Sequence, residues 1–338
     1  MTSRKMTGPS PNQLPRPPFD AQLLPAIGNS PAYPLSRDKV VEGREVRAKN
    51  MAPLRAFILE DEDLLVEHRT CPGPASNIPL LVLQSKAAKG SARDGRPGIL
   101  FIHGGGMVLG DPFLGLPFFV RVAKELGAVV VSVDYRLAPE HPAPAPQDDC
   151  FAALTWTATH SSDLGFDPSR LMIAGASAGG GLAAGAALRA RDIGGPALCA
   201  QLLVYPMLDD RSTTVSRRQF MKDDGVYDST DNDFAWSCVL GDNRGAAEGV
   251  NVYVAPGRAA DLSRLPPAYI DVGSAEPFRD ENVAYASRLW ECGVQADMHV
   301  WSGGFHGFDM LGLPVGAEVS KAAIETRMGW ARRVFGTH

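Results

Sequence analysis

Residues 170–191 read RLMIAGASAGGGLAAGAALRAR, and this segment carries the most informative local pattern of the chain. Its first part is an apolar run typical of a buried strand, and its last part is an Ala- and Gly-rich stretch typical of a helix. Between them, Gly175, Ser177 and Gly179 form the pattern G-x-S-x-G. A strand, a tight turn and a helix in this order predict that Ser177 is a nucleophile held at the top of a sheet.

The glycines on either side of the serine have a steric explanation. A side chain at Gly175 or Gly179 is expected to collide with the neighbouring strand or helix, because the turn brings backbone segments close together. The alternative interpretation is the glycine-rich turn of a nucleotide-binding unit. That turn needs G-x-G-x-x-G spacing or a G-K-[ST] lysine, and this segment has neither.

From residue 98 onward, short apolar runs alternate with longer helical stretches. Continuous apolarity is typical of parallel strands covered on both faces by helices. The sequence therefore predicts a mostly parallel, doubly wound sheet of about eight strands. The predicted strands are a pair at 64–70 and 78–84, then 99–102, 129–133, 171–174, 202–205, 268–272 and 298–301, with helices around 113–126, 145–160, 178–192, 279–292 and 317–335.

Two parts of the chain depart from this alternation. Residues 1–60 begin with a Pro-rich stretch and continue as a polar helical pattern, so we expect an N-terminal arm and cap helices there. Residues 209–250 lie between two strand signals, and a long insertion at the strand ends of an α/β sheet is a candidate lid. The remaining residues, 61–208 and 251–338, are expected to form the catalytic domain.

A second glycine-rich loop follows the predicted strand at 99–102, where the chain reads His103-Gly104-Gly105-Gly106. Consecutive glycines let two backbone N–H groups turn toward one point, where they can meet an oxygen that becomes negative during acyl transfer. The N–H of Ala178, the residue after the serine, would complete this oxyanion hole. We interpret His103 as a structural residue of the loop and not as a catalytic base.

A nucleophilic serine needs a general base, and His306 is the best candidate. It lies just beyond a late predicted strand, in the Gly-rich segment 302–308, at the end of the sheet where Ser177 is expected. Among the other histidines, His299 lies inside a predicted strand, His160 near a helix end and His338 at the terminus. The remaining ones are His68, His103 and His141.

The acid that orients this base is expected in the loop after the preceding strand. Three acids lie there, Glu276, Asp280 and Glu281, whereas Asp271 lies within the strand and is interpreted as a buried structural acid. Glu276 comes first after the strand and is followed by Pro277, which stiffens the loop. The chain order is then Ser177, Glu276, His306, the nucleophile–acid–base order of α/β hydrolases.

Composition excludes several classes of function. The chain has 338 residues and a net charge of -5, which argues against nucleic acid as a partner, and no basic run suggests membrane binding. No stretch is long and apolar enough for a membrane span or a secretory signal, so we expect a cytoplasmic protein. The 5 cysteines are widely spaced, which predicts free thiols and no metal site. No cofactor is expected.

At these residues the chain resembles the hormone-sensitive lipase-like family of α/β hydrolases, in its bacterial esterase branch. The resemblance covers nearly everything from Leu64 onward. It rests on the H-G-G-G segment at 103–106, D-Y-R-L-A-P-E-H-P at 134–142, the elbow at Ser177, Tyr205-Pro206, and F-H-G-F at 305–308. It implies Gly105, Gly106 and Ala178 as oxyanion donors, a cap built from the N-terminal residues and the 209–250 insertion, and a homodimer formed through the last strand.

One position departs from the family pattern. The usual acid motif is D-P-L-x-D, and here it reads Glu276-Pro277-Phe278-Arg279-Asp280. This keeps Asp280 open as an alternative acid.

The resemblance and the residues together predict a serine carboxylesterase. It would hydrolyse small esters, with short acyl chains or aryl groups, through an acyl-enzyme intermediate. Two alternatives stay open from sequence: an amidase or carbamate hydrolase with the same triad, and a ligand-binding member of the fold without catalysis.

Overall fold

The core of the protein is one sheet, seen in a computed structural model that describes residues 14–29, 36–88, 95–211, 213–221 and 225–336. Its strands are β1 Leu64–Cys71, β2 Ile78–Ser85, β3 Gly98–Ile102, β4 Val129–Val133, β5 Leu171–Ala176, β6 Ala200–Val204, β7 Ala268–Gly273 and β8 Ala296–Trp301. Their spatial order is β1-β2-β4-β3-β5-β6-β7-β8. Strand β2 runs antiparallel to both neighbours, and every pair from β4 to β8 is parallel. The predicted fold class is confirmed.

The helices lie between the strands and at the two ends of the described chain. They are α1 Leu24–Asn29, α2 Val40–Leu59, α3 Leu116–Leu126, α4 Ala145–Thr159, α5 Ser161–Leu164, α6 Ala178–Ile193, α7 Val215–Gln219, α8 Ser229–Leu240, α9 Arg279–Glu291, α10 Phe308–Leu311 and α11 Glu318–Val334. Short 3-10 turns occur at Ala21–Leu23, Pro168–Arg170, Gly241–Asn243 and Pro256–Arg258.

The direction of each crossover decides which face a helix covers. The β3–α3–β4 connection moves one way along the sheet, whereas the connections through α4, α6 and α9 move the other way. Because such crossovers are right-handed, α3 covers one face of the sheet and α4, α6 and α9 cover the other. Helix α11 packs beside α3. The inner strands β3 to β6 are buried at every position, which explains their continuous apolar runs.

The described N-terminal residues contact two loops, one that follows strand β8 and one that follows strand β3. On one side, the backbone N–H of Asp20 donates to the Gly303 carbonyl at 3.0 Å, close to His306. On the other side, Arg44 of α2 donates through Nε to the Val108 carbonyl at 2.8 Å, just after the 103–106 loop. Residues 1–13 and 30–35 of the predicted arm lie outside the described residues. The domain boundaries stay a prediction, as does a dimer through β8, which is an edge strand of the sheet.

A buried ionic network joins α11 to the sheet below the carboxyl ends of β6 and β7. Arg327 pairs with Asp271 of β7 and with Asp309 of α10, each at 2.9 Å. Asp309 also accepts a hydrogen bond from the Tyr205 hydroxyl at 2.9 Å. Burial raises the pKa of Asp271, and the opposing charge of Arg327 limits the rise. Asp271 is thus the structural acid that its place in the strand predicts.

Replacing Arg327 by Met is expected to lower the free energy of unfolding by about 3 kcal/mol, because two carboxylates then stay buried without their cation. Chemical denaturation followed by circular dichroism measures the change. The control is Lys321→Met in the same helix, since Lys321 is about half exposed and pairs with Glu318, which is also exposed. That change is expected to cost less than about 0.5 kcal/mol. Equal free energies of unfolding for the two variants would show that the buried ionic network stabilises the fold no more than an exposed ion pair does, and the prediction would be wrong.

Candidate active site

Ser177 occupies a strained turn between β5 and α6. Its φ of 57° and ψ of -121° are rare for a residue with a side chain. Two backbone bonds from the end of β6 hold this conformation: the Ser177 N–H donates to the Val204 carbonyl at 2.8 Å, and its carbonyl accepts from the Met207 N–H at 2.9 Å. A Cβ added at Gly179 would lie 2.0 Å from the Ile102 carbonyl oxygen of β3. Only glycine fits that position, as the sequence pattern suggests.

A chain of hydrogen bonds runs from Ser177 to a buried acid. The Ser177 Oγ lies 2.9 Å from His306 Nε2, and His306 Nδ1 lies 2.6 Å from Glu276 Oε2. The other Glu276 oxygen accepts from the Gly273 N–H at 2.9 Å. Burial raises the pKa of Glu276, and the neighbouring imidazole opposes the rise. This arrangement lets an imidazole take the serine proton while a carboxylate holds its tautomer.

The alternative acids lie elsewhere. Asp280 is in the first turn of α9, where its carboxylate accepts from the Ser216 N–H at 2.7 Å and from Arg279 Nε at 2.8 Å. Glu281 is buried and accepts from the Leu208 N–H at 2.8 Å, and burial raises its pKa to about 8. Neither acid is hydrogen-bonded to His306.

The other histidines have different surroundings. The buried His103 ring stacks on Tyr135 and contacts the Gly104 carbonyl through Nδ1 at 2.8 Å. Burial lowers the pKa of His103 to about 4, so the ring is neutral and fits a structural role in the loop. His299 stacks on Tyr269 in the sheet, and His160 contacts the Trp156 carbonyl at the end of α4. His338 lies outside the described residues.

The 103–106 loop lies against the serine. A Cβ added at Gly104 would be 3.2 Å from the Ser177 Cβ, and Gly105 and Gly106 have φ values of 112° and 66°. The Gly105 carbonyl accepts from the N–H groups of Val108 and Leu109, which fixes the turn. Among the residues that the structure describes, the N–H groups of Gly105, Gly106 and Ala178 have no acceptor. Free donors beside a helix N-terminus can bind an anion, and their role as oxyanion donors stays a prediction.

Three aromatic rings that sequence reasoning did not select surround His306. Tyr205, Phe278 and Tyr227 have ring centroids 4.7, 5.0 and 5.1 Å from that of the imidazole. Phe278 lies within the acid motif and Tyr205 within the Tyr205-Pro206 motif, so both belong to local patterns, although neither was predicted to contact the base. Tyr227 comes from the 209–250 insertion, directly before a helix with a capping box at Asp228.

The described part of the chain offers no group of three His, Cys, Asp or Glu side chains that could hold a metal ion. The cysteines are unpaired: Cys71, Cys150 and Cys238 are buried, and Cys199 and Cys292 are partly buried. Across the same residues, no helix combines the length and apolarity needed to cross a membrane.

The chain is similar to known esterases in sequence and in structure. A family model described as alpha/beta hydrolase fold matches residues 99–310. Esterase LipI of Mycobacterium tuberculosis is 34% identical over 300 residues, covering 87% of this chain and 88% of the relative. Carboxylesterase NlhH of the same species is 41% identical over 229 residues, covering 67% and 70%. The structure of a bacterial heroin esterase aligns with a TM-score of 0.85 at 34% identity, covering 94% of this chain and 98% of that one.

Proposed function

Because the chain belongs to the alpha/beta hydrolase fold family, among its hormone-sensitive lipase-like bacterial esterases, we propose that it is a serine carboxylesterase for short-chain acyl or aryl esters. The class of enzyme, a carboxylic ester hydrolase, is that of its named relatives. The proposal adds the residues that perform the reaction and the size of the substrate. The hydrogen-bonded chain Ser177–His306–Glu276 is the observation that carries it.

The first half of the reaction acylates the serine. The Ser177 Oγ attacks the ester carbonyl carbon while His306 Nε2 takes the hydroxyl proton, and Glu276 stabilises the imidazolium. The carbonyl oxygen becomes negative and accepts from the N–H groups of Gly105, Gly106 and Ala178. When the tetrahedral intermediate collapses, His306 returns the proton to the leaving alcohol, and an acyl-enzyme remains.

The second half releases the acid. A water molecule enters where the alcohol has left, gives a proton to His306 Nε2 and attacks the acyl carbon. Collapse of the second intermediate returns the proton to Ser177 Oγ and frees the carboxylic acid. No group beyond these side chains and backbone donors is required.

The proposed substrate size follows from the closeness of the N-terminal residues and the insertion to the base. Phe19 packs on Phe305, the residue before His306, and on Phe220, with ring centroids 6.4 and 6.2 Å apart. The Gln219 amide donates to the Pro15 carbonyl at 2.5 Å. Through these contacts, residues 14–20 pack against the end of α7 and against the residue before the base. We propose that they limit the space beside His306, so that the site is of modest size.

A series of p-nitrophenyl esters from acetate to palmitate tests this proposal. We expect kcat/KM to be highest between acetate and hexanoate and to fall by at least about 100-fold at palmitate, since a long chain does not fit. A p-nitroanilide with the preferred acyl group serves as the comparison for amide hydrolysis, and the ester is expected to react faster. A maximum at palmitate, or a faster anilide, would contradict the proposed substrate.

A further inference from the structure

Tyr227 presents a buried hydroxyl to the candidate active site, and this hydroxyl has no partner among the described residues. Its ring lies 5.1 Å from the His306 ring and 5.9 Å from the Phe278 ring, measured between centroids. The hydroxyl oxygen is shielded from solvent and has no hydrogen bond to any residue that the structure describes. Leaving a buried donor unsatisfied costs free energy, so this hydroxyl has a hydrogen bond left to give to a ligand that reaches it.

The hydroxyl lies over the oxyanion loop. A Cβ added at Gly106 would be 3.3 Å from the Tyr227 oxygen and 3.0 Å from the Ala235 Cβ of α8. The N–H of Gly106 also has no acceptor among the described residues. Two donors without partners among the described residues thus lie near one another, at the loop that is proposed to bind the carbonyl oxygen.

The backbone beside Tyr227 is well ordered by hydrogen bonds. The next residue, Asp228, caps α8 by accepting from the N–H groups of Thr230 and Asp231 at 2.8 and 3.1 Å. The Ser229 N–H donates to the Phe220 carbonyl at 3.0 Å. Burial raises the pKa of Tyr227 well above its usual value, so the phenol keeps its proton and stays a donor at working pH.

We propose that Tyr227 is a substrate-binding residue whose hydroxyl donates a hydrogen bond to the carbonyl oxygen of the ester as that oxygen becomes negative. The inference rests on the proposed esterase function and adds a side-chain donor from the insertion to the backbone donors of the loop. The bond strengthens as charge develops, so its loss lowers kcat more than it raises KM.

Tyr227→Phe tests the proposal, because it keeps the ring against His306 and removes only the hydroxyl. With p-nitrophenyl acetate we expect kcat to fall between about 10- and 100-fold and KM to change less than about threefold. The thermal midpoint is expected to stay or rise, since the variant removes an unsatisfied buried donor. The control is Tyr285→Phe on α9, whose buried hydroxyl also has no partner among the described residues and lies near Arg191 and Arg288. Its kcat is expected to equal that of the wild type.

Two results would overturn the inference. One is a Tyr227→Phe protein with kcat within twofold of the wild type, which would leave the ring as a packing element only. The other is a drop of the thermal midpoint by more than about 3 °C, which would show that the hydroxyl is already bonded in the free protein. An error in the proposed esterase function would give a different result: the wild type would then neither hydrolyse esters nor react with a fluorophosphonate at Ser177.

Discussion

Replacing Ser177 or His306 by Ala is expected to lower kcat for p-nitrophenyl acetate about 10⁵- to 10⁶-fold while KM changes little. The serine supplies the bond-forming oxygen and the imidazole removes its proton, so neither half of the reaction proceeds at its normal rate without both. Stopped-time product assays at high enzyme concentration measure the residual rate. Fluorophosphonate labelling is expected to disappear in Ser177→Ala and to slow strongly in His306→Ala.

The double variant is an internal check. Because the two residues act as a unit, removing both is expected to cost no more than removing either. Ser162→Ala and His160→Ala are the matched controls, since Ser162 and His160 are exposed and neither is part of the hydrogen-bonded chain from Ser177 to Glu276. Near-normal turnover by Ser177→Ala would refute the mechanism.

Glu276→Gln is expected to lower kcat about 10³- to 10⁴-fold without unfolding the protein. One carboxylate oxygen accepts from the Gly273 N–H and the other faces His306 Nδ1. In the glutamine variant the amide oxygen must stay on the Gly273 N–H, so its NH₂ group faces Nδ1. The imidazole then adopts the tautomer with a proton on Nε2, which cannot accept the proton of Ser177.

Asp280→Asn is the matched comparison, four residues away and also a carboxylate-to-amide change. Asp280 binds Ser216 and Arg279, so kcat is expected to stay within about threefold of the wild type. Steady-state kinetics of both variants decide between the two acids that the sequence left open. A larger loss for Asp280→Asn than for Glu276→Gln would reverse the assignment.

Local patterns were sufficient to predict the fold. Continuous apolar runs predicted the inner strands, a turn between two segments predicted the pair β1 and β2, and the bounds differ from the prediction by at most two residues at either end. Strand β6 was predicted at 202–205 and lies at Ala200–Val204. Gln201 is polar but fully buried, and its amide donates to the Pro266 carbonyl at 3.0 Å. The sequence around Gln201 does not reveal this distant partner, so the polar side chain moved the predicted start of β6 to residue 202.

The candidate site was predictable only where a residue lies in a local motif. The elbow serine and the glycine loop each follow a strand, so their shared end of the sheet follows from topology. The choice between Glu276 and Asp280 depends on a loop backbone and on Ser216, which lies about 60 residues earlier in the chain. Tyr227 has no periodic pattern around it, and the only signal nearby is the capping box that begins at Asp228. Side chains that an irregular insertion brings to the site can be identified only from the structure.

The separation of Ser177 and His306 along the chain has a consequence for the synthesis and folding of the enzyme. The strands that flank the elbow are complete by Val204, whereas the imidazole that contacts Ser177 lies 129 residues after it. Domains generally fold as units, so the sheet is completed only after the segment that carries His306 has been synthesised. A nascent chain that ends before His306 therefore contains the nucleophile without its base, and Ser177 stays unreactive in it. The appearance of esterase activity is then a reporter of completed folding, more stringent than the return of secondary structure.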